Sequence, residues 1–355
     1  MRIAQIAPLY EAVPPKFYGG TERVVSYLTE ALVELGHDVT LFASGDSVTS
    51  ATLEAAWPRA LRLDPSIRDP LAPHMLLLEQ VRRLASDFDV LHFHLDYLPF
   101  ALFANAGTPF VTTLHGRLDL PELQPVFNTF TDAPVISISQ SQRTPLPQAN
   151  WLGNVYHGLP SGLLTPRTQE EPEYLAFLGR ICPEKRVDTA IRIAAMSGLP
   201  LKIAAKIDKV DRDYFKTEIE PLLGEAHVEF IGEIDETQKP EFLSGAKALL
   251  FPIDWCEPFG LVMIEAMACG TPVVAFNRGS VPEVIDHGVT GYIVEDTHSA
   301  VAAVQRLDEL SREEIRAQFE RRFTAQAMAR AYVEKYETLI ERTARRPALR
   351  SVAAG

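Results

Sequence analysis

Two carboxylates flank a short turn in the sequence DWCEPFGLVMIEAMACGTPVVA, residues 254–275. Glu257 precedes Pro-Phe-Gly, and Glu265 lies in the apolar stretch that follows. The pattern predicts a buried strand ALLFP, an exit loop, a helix LVMIEAMA ended by a glycine, and a strand PVVAF. The first amides of a helix have no partner within it and attract anions. We therefore expect the amides of Phe259, Gly260 and Leu261 to face an anionic ligand.

The two carboxylates suit a ligand that combines phosphate with hydroxyl-rich rings. Glu265 lies inside the most apolar predicted helix, and a buried carboxylate needs a partner such as the hydroxyls of a ribose. The alternative is that Glu257 caps this helix and Glu265 is an exposed surface residue.

Two other loops contain groups that could bind the same anion. Arg180 and Lys185 follow the predicted strand YLAFLG and could place a guanidinium and an ammonium on one pyrophosphate. The alternative is a solvated loop with an ordinary Glu184–Lys185 pair. Gly19 and Gly20 in YGGTE precede a predicted helix, where glycine lets a ligand approach the backbone. Here the alternative is a tight turn with the threonine of that motif as the helix N-cap.

Histidines follow two other predicted strands. His115 comes directly after VTTL, so we expect it at the rim of the first domain; a purely structural role is the alternative. His92, His94 and Asp96 alternate along VLHFHLD and could ligate a metal from one strand face. Pairing with backbone groups is the favoured alternative, and His94, Asp96 and Tyr97 are candidates for acceptor contacts near the strand's end.

The elements that position these residues alternate between strands and helices. A chain of 355 residues has the length of two domains. The alternation predicts two doubly wound α/β halves with parallel sheets. We expect an N-terminal Rossmann-like acceptor-side domain at 1–158, a linker at 159–172, a C-terminal Rossmann-like donor domain at 173–323, and a last helix and tail at 324–355.

Composition excludes several classes of protein. The net charge of -13 argues against a nucleic-acid binder, which needs a basic surface. No apolar run reaches membrane-spanning length and the N-terminus lacks the features of a signal peptide, so a cytoplasmic protein is expected. Cys182, Cys256 and Cys269 lack zinc-type spacing and are interpreted as free thiols.

Two charged segments could suggest other functions. Asp211 and Asp213 form an Asp-x-Asp pattern that could bind a metal, but they open the predicted helix RDYFKTEIEPLL, where acidic residues complement the helix dipole. The basic tail ERTARRPALR is interpreted as a frayed, solvated end with at most peripheral membrane contact.

The motifs together resemble those of a known family. GGTE, LHG, FLGRICPEK, EPFGLVMIEAMACGTPVVA and GSVPEVIDHGVTGYIV occur in this order. They resemble family 4 of the retaining, nucleotide-sugar-dependent glycosyltransferases, which adopt the GT-B fold. The resemblance covers nearly the whole chain and is strongest from Leu175 to Val294. It implies two doubly wound Rossmann-like domains facing across a cleft, with a C-terminal helix crossing back to the first domain.

The resemblance also implies roles for the donor-binding residues. Glu257 would hold hydroxyls of the donor sugar, Glu265 would bind the ribose, and Arg180 and Lys185 would neutralise the pyrophosphate. The amides at the start of the helix would support the sugar or phosphate, and backbone near Gly232 to Ile234 would hold the base. Such enzymes need no metal or other cofactor. Arg186 stands where many relatives have glycine.

The remaining implied roles lie in the first domain and with the acceptor. Gly19 and Gly20 would approach the phosphates, and His115 would contact the sugar's 6-hydroxyl or stabilise the reaction centre. The expected activity is carbohydrate biosynthesis by transfer of a hexose-type sugar from a UDP- or GDP-sugar to a sugar, a lipid-linked glycan or a small metabolite. A sugar-nucleotide epimerase and a non-catalytic sugar-nucleotide sensor are the alternatives.

Overall fold

The computed structural model describes residues 1–16, 19–104, 106–167 and 172–344. They form two compact units, each with its own parallel sheet. The first unit contains the described residues of 1–138, 143–158 and 325–344. The second contains residues 139–142 and 159–324.

The first unit is built on a sheet of seven strands in the order β3-β2-β1-β4-β5-β6-β7. Its strands are β1 (Arg2–Ile6), β2 (Asp38–Ser44), β3 (Thr52–Trp57), β4 (Val90–Phe93), β5 (Phe110–Thr113), β6 (Pro134–Ser137) and β7 (Asn150–Asn154). β4, β5 and β6 are buried along their whole length, as strands of a parallel sheet covered on both faces must be.

The second unit is built on a sheet of six strands in the order β10-β9-β8-β11-β12-β13. Its strands are β8 (Tyr174–Arg180), β9 (Leu201–Lys206), β10 (Val228–Gly232), β11 (Ala246–Phe251), β12 (Val273–Phe276) and β13 (Gly291–Val294). In both sheets the order reverses beside the first strand, the point at which α/β folds open a crevice at the carboxyl ends of their strands.

Twelve α-helices connect and cover the strands. They are α1 (Gly20–Glu34), α2 (Leu71–Leu84), α3 (Phe100–Phe103), α4 (Leu123–Thr129), α5 (Val187–Ser197), α6 (Arg212–Tyr214), α7 (Lys239–Ser244), α8 (Leu261–Ala268), α9 (Val281–Val284), α10 (Thr297–Val304), α11 (Arg312–Arg322) and α12 (Ala325–Ala344). The count covers the described part of the chain.

The predicted strands and helices are present, with differences where the residues are polar. β3 and β7 were not predicted, because TLEAAW and NWLGN lack a continuous apolar run. The segment RDYFKTEIEPLL is not one regular helix: α6 is followed by a π-helical turn at Phe215–Ile219 and a 3₁₀ turn at Glu220–Leu222. The proline in this segment lacks the amide that a regular α-helix would need there.

The last helix, α12, packs in the first unit, as predicted. Tyr332 and Tyr336 are completely buried. Lys335 passes so close to Gly153 of β7 that a Cβ there would lie 2.7 Å from its Cε atom. The residues beyond Ala344, which include most of the basic tail, lie outside the described residues.

The segment predicted as a linker is in part packed structure. Leu159 and Leu164 are each 1% exposed, and the Leu159 amide donates to the carbonyl of Phe323 at 2.9 Å. Arg316 donates to the carbonyl of Leu164 at 2.7 Å. Residues 159–167 are therefore held by the second unit instead of forming a free spacer, and residues 168–171 lie outside the described residues.

Candidate active site

The turn Pro-Phe-Gly leaves the N-terminus of α8 without a side-chain cap. Gly260 is the N-cap residue, with φ 79°, and no side chain bonds to the helix start. A Cβ on Gly260 would also lie 2.9 Å from Cε of Met263, a flexible side-chain end, so the backbone conformation is what favours glycine here. Glu257 therefore does not cap the helix, and that alternative is wrong.

Glu257 instead forms an ion pair with Lys185. Its Oε2 accepts hydrogen bonds from Lys185 Nζ and, at 3.0 Å, from Trp255 Nε1. The Lys185 and Glu257 side chains are only 20% and 12% exposed. The alternative for Lys185, a solvated loop with an ordinary Glu184–Lys185 pair, is therefore wrong. Sequence patterns assigned these two residues to the phosphate and the sugar of one ligand, and the structure brings them into contact.

The segment Gly279–Ser280 packs against the backbone of Glu257 and holds it in place. The amide of Ser280 donates to the Glu257 carbonyl at 3.0 Å, and Ser280 Oγ donates to the Phe259 carbonyl at 2.8 Å. A Cβ on Gly279, where φ is 57°, would lie 2.4 Å from the backbone nitrogen of Glu257. This close backbone contact gives the motif GSVPEV a physical role: it fixes the loop that carries the carboxylate.

Glu265 is buried and paired with a lysine that sequence analysis missed. Its residue exposure is 5%, and Oε1 accepts from Lys239 Nζ at 2.7 Å. Oε2 is also buried and has no hydrogen-bond partner in the structure. The alternative of an exposed Glu265 is therefore wrong. Only the rule that a buried carboxylate needs a counter-charge could have pointed to Lys239 in advance.

Lys239 is the first residue of α7, so its ion pair holds the loop that follows β10 beside Glu265. β10 ends at Gly232 in a left-handed conformation, with φ 78°, and Ile234 follows in that loop. The segment expected to hold the base therefore lies shortly before Lys239 in the chain. Lys239 in turn pairs with Glu265, the residue expected to bind the ribose.

Arg180, the last residue of β8, is held by two aspartates. Its guanidinium lies 3.6 Å from Asp208 and 3.7 Å from Asp211. Asp211 is 9% exposed and makes no side-chain cap to α6. Asp211 is nevertheless the N-cap residue of α6 and Asp213 lies in its first turn, so both stand where acidic residues complement a helix dipole.

Arg186 adopts the conformation that favours glycine. Its φ and ψ are both 53°, in the left-handed region. Its guanidinium is held by Asp188 at 3.0 Å and by Asp254 at 3.3 Å. The turn after Lys185 therefore has the backbone that glycine would adopt easily, although an arginine occupies it.

In the first unit, α1 begins at Gly20 and Gly19 is its N-cap residue, with no side-chain cap. The threonine alternative is therefore wrong. Two buried carboxylates, Glu11 and Glu22, lie close by: Glu11 Cγ is 3.1 Å from the Cβ position of Gly19, and burial raises the pKa of Glu22. Arg62 pairs with Glu11 at 2.8 Å.

His115 follows β5 and is bonded to His94 at its Nε2 atom, 2.8 Å from His94 Nδ1. The other nitrogen of His94 bonds to Gln5 Oε1 at 2.9 Å, and His94 is 3% exposed. Both ring nitrogens of His94 are thus engaged within the protein. His94 therefore offers no free nitrogen to an acceptor.

His92 is completely buried and bonded to side chains, contrary to the backbone pairing expected. Its Nδ1 lies 2.7 Å from Tyr336 Oη and its Nε2 lies 2.7 Å from Thr113 Oγ1. Within the described residues, no group of three histidine, cysteine or acidic side chains is arranged to hold a metal. Burial lowers the pKa of His115 to about 3 and holds those of His92 and His94 well below the usual value.

The other acceptor-side candidates lie in the turn after β4. Asp96 has φ 50°, and although it is exposed, the loss of surrounding water raises its carboxyl pKa to about 6. Tyr97 is 42% exposed. Both remain accessible to a ligand.

Two family profiles match the chain. The profile described as Glycosyltransferase Family 4 matches residues 18–150, and that described as Glycosyl transferases group 1 matches residues 165–330. The chain belongs to the family 4 glycosyltransferases. The phosphatidyl-myo-inositol mannosyltransferase of Mycolicibacterium smegmatis is 28% identical over 339 residues, covering 86% of this chain and 84% of that protein.

Solved structures identify the fold of this glycosyltransferase as GT-B. Sucrose-phosphate synthase from Thermosynechococcus elongatus superimposes with a TM-score of 0.76 at 21% identity, covering 96% of this chain and 99% of that one. HepE of Anabaena in complex with UDP and glucose has a TM-score of 0.71 at 20% identity, with 95% and 99% covered. The family profiles and the named mannosyltransferase relative do not favour the epimerase or sensor alternatives.

No helix in the described residues combines the length and apolarity needed to cross a bilayer. All three cysteines are free, as predicted.

Proposed function

We propose that this glycosyltransferase moves a hexose-type sugar from a UDP- or GDP-sugar to an acceptor hydroxyl, with retention of anomeric configuration and without a metal. The observation that carries the proposal is the Lys185–Glu257 ion pair beside the uncapped N-terminus of α8. This arrangement offers one ligand a cation, a carboxylate that can accept hydrogen bonds from sugar hydroxyls, and backbone amides that attract an anion.

Donor binding would exchange the partners of this ion pair. Sugar hydroxyls donate to Glu257, and Lys185 turns to the pyrophosphate, with Trp255 Nε1 still holding the carboxylate. The bond from the anomeric carbon to the diphosphate then breaks, a bond to the acceptor oxygen forms, and the proton of the acceptor hydroxyl passes to the leaving diphosphate. Lys185, Arg180 and the α8 amides stabilise the charge that develops on the leaving diphosphate. Because these groups supply positive charge themselves, the proposal requires no metal.

The nucleoside would bind at Glu265. Its Oε2, which has no hydrogen-bond partner in the structure, would accept from a ribose hydroxyl, while Lys239 balances the carboxylate charge through Oε1. Backbone groups between Gly232 and Ile234 would hold the base.

The first unit would supply the remaining contacts. Gly19 and Gly20 would offer backbone to the phosphates, His115 would contact a sugar hydroxyl, and Asp96 and Tyr97 would face the acceptor. The mycobacterial relative is named for phosphatidyl-myo-inositol, so that lipid is one acceptor to test beside sugars, lipid-linked glycans and small metabolites.

A ligand screen followed by a transfer assay tests this function. Thermal shifts with UDP, GDP and their hexoses identify the donor, since stabilisation grows with occupancy. NMR of the product's anomeric proton tests retention, and activity after EDTA treatment tests metal independence. Conversion of the donor without any acceptor would indicate an epimerase, and binding without transfer or hydrolysis would indicate a sensor. Failure of every UDP and GDP compound to bind would refute the proposal.

A further inference from the structure

A chain of side-chain hydrogen bonds leads from α12 to His115. Tyr336 Oη lies 3.0 Å from Gln5 Nε2, and Gln5 Oε1 lies 2.9 Å from His94 Nε2. His94 Nδ1 then lies 2.8 Å from His115 Nε2. A second branch runs from Tyr336 through His92 to Thr113, each step 2.7 Å, and from Thr113 to Tyr332 at 3.0 Å. Pairing of β1 with β4 creates the junction, because Gln5 lies opposite His92 in register.

Every member of this chain is neutral at neutral pH. Burial keeps the pKa values of the three imidazoles far below their usual range and raises those of the two tyrosines. A neutral imidazole donates from one nitrogen and accepts at the other. The choice made at one ring therefore fixes the choice at the next. Two proton arrangements satisfy every link, because a third, with Tyr336 accepting from both Gln5 and His92, leaves the buried Tyr336 O–H without an acceptor.

In the first arrangement, the Gln5 amide donates to Tyr336 Oη and its carbonyl accepts from His94 Nε2–H. His115 Nε2–H then donates to His94 Nδ1, which leaves His115 Nδ1 as a bare acceptor. In the second, the Gln5 amide is reversed and every direction changes, so that His115 Nδ1 carries a proton.

The structure has the amide orientation of the first arrangement. Gln5 Nε2 also lies 3.3 Å from His92 Nδ1, whose one lone pair accepts the shorter hydrogen bond from Tyr336 at 2.7 Å. His115 Nδ1 is buried without a partner in the structure. An orphaned buried N–H donor is rarer than an under-used acceptor, so a bare Nδ1 is the favoured state.

We propose that Gln5, His94 and Thr113 are positioning residues that hold His115 in its Nε2–H tautomer, so that Nδ1 accepts a hydrogen bond from a hydroxyl of the donor sugar. The proposal rests on the glycosyltransferase function above for the identity of that hydroxyl. The tautomer itself does not depend on it, because hydrogen bonds within the first unit determine it.

The most specific consequence is remote control of His115 by Thr113. Replacing the Thr113 hydroxyl with a methyl group removes the acceptor for His92 Nε2–H. His92 then shifts its proton to Nδ1 and donates to Tyr336, which must donate to Gln5. The Gln5 amide reverses, His94 donates from Nδ1, and His115 becomes the Nδ1–H tautomer. Thr113 thus acts on His115 only through His92, Tyr336, Gln5 and His94.

Long-range ¹H–¹⁵N correlation spectra of the ¹⁵N-labelled protein test the proposal, because the two nitrogens of each imidazole report its tautomer. His74 is an internal reference: its Nδ1 bonds the Pro70 carbonyl at 2.6 Å and its Nε2 accepts from the Leu9 amide at 3.0 Å, so it is the Nδ1–H form. We expect His115 to show the opposite pattern. The same pattern in His115 as in His74 would overturn the proposal.

Two matched variants test the coupling. Thr113→Val should move His115 toward the Nδ1–H pattern, and Thr113→Ser should restore it. Thr112→Val is the control: the neighbouring hydroxyl is also completely buried but has no hydrogen-bond partner in the structure, so His115 should not change. Gln5→Met removes the central link and should produce the same shift as Thr113→Val. An unchanged His115 in both Thr113→Val and Gln5→Met refutes the relay.

Kinetics then test the use of Nδ1. With the hexose donor that the wild type uses fastest, Thr113→Val should lower kcat/KM roughly tenfold, the cost of one hydrogen bond to substrate, while Thr112→Val stays near the wild-type value. A shifted tautomer with unchanged kcat/KM would refute substrate binding at Nδ1. A wild-type protein without transferase activity would refute the proposed function and leave the tautomer result standing.

Discussion

The predicted site residues of the two units are held by opposite electrostatic means. In the second unit, Glu257 and Glu265 keep their place through ion pairs with Lys185 and Lys239. In the first unit, His94 and His115 are held by hydrogen bonds among neutral groups. The difference follows from composition: carboxylates and ammonium groups stay charged when paired, whereas a buried imidazole without a counter-charge loses its proton. The second unit therefore presents paired charges at its candidate site, whereas the first presents neutral donors and acceptors.

Removing a lysine from the ion pairs of the second unit should have the largest effect on activity. Lys185→Ala should lower kcat by on the order of a hundredfold or more, because a preorganised positive charge at the leaving group is lost. Steady-state kinetics and circular dichroism on the same preparations measure this. Lys202→Ala is the control, since Lys202 pairs with Glu229 at 3.5 Å in an exposed pair. Near-normal kcat in Lys185→Ala with an intact fold would remove Lys185 from the mechanism.

Breaking the second ion pair should affect stability as well as binding. Lys239→Met leaves Glu265 buried without a counter-charge, which costs about 3 kcal/mol in the free energy of unfolding. Urea denaturation measures this loss, and nucleotide titration should show weaker donor binding. The double variant Lys239→Met with Glu265→Leu should recover most of the stability but not the binding. If the double variant also regains nucleotide affinity, Glu265 does not bind the ribose.

Acid should destabilise the protein through the buried, neutral histidines of the first unit. His92, His94, His115 and His157 are buried with lowered pKa values, whereas in the unfolded chain they titrate near pH 6.5. Below that pH the unfolded state binds more protons, so this stability is present above pH 6.5 and is lost as the pH falls. Each histidine contributes up to about 2 kcal/mol of loss at pH 5.

Urea denaturation between pH 7 and pH 5 measures this dependence. His157→Phe keeps a ring stacked on His115. It should reduce the slope of the unfolding free energy against pH by the contribution of one histidine proton. The exposed His298 serves as the control through His298→Gln, which should keep the wild-type slope. An equal slope in His157→Phe and wild type would show that His157 is not buried in its neutral form.

Arg186 should show the smallest effect, because two contributions oppose each other. Arg186→Gly relieves a left-handed conformation that costs a non-glycine residue roughly 1 kcal/mol. It also removes the ion pairs to Asp188 and Asp254 and increases the freedom of the unfolded chain. We expect the free energy of unfolding to change by less than about 1 kcal/mol and kcat to stay within a few-fold. A large loss of activity would show that the extra cation contacts the ligand.

The sequence by itself determined most of the strands and helices and which residues to propose for donor binding. Apolar runs specify β1, β8 and β11, and α8 has the bounds that its glycines and apolar residues predicted. These patterns involve residues that are neighbours in the sequence, so they can be recognised without knowing the fold. Polar strands such as β7 were missed because their pairing depends on neighbours far away in the sequence.

Only the tertiary structure decided which side chains are partners. Lys239 meets Glu265, Lys185 meets Glu257, and Gln5 joins His94 to Tyr336 across more than 300 residues of sequence. Strand register and helix packing set these contacts, and no spacing along the chain encodes them. The burial that pairs the carboxylates with lysines and keeps the histidines neutral is likewise a property of the folded chain, because each residue's surroundings come from distant segments.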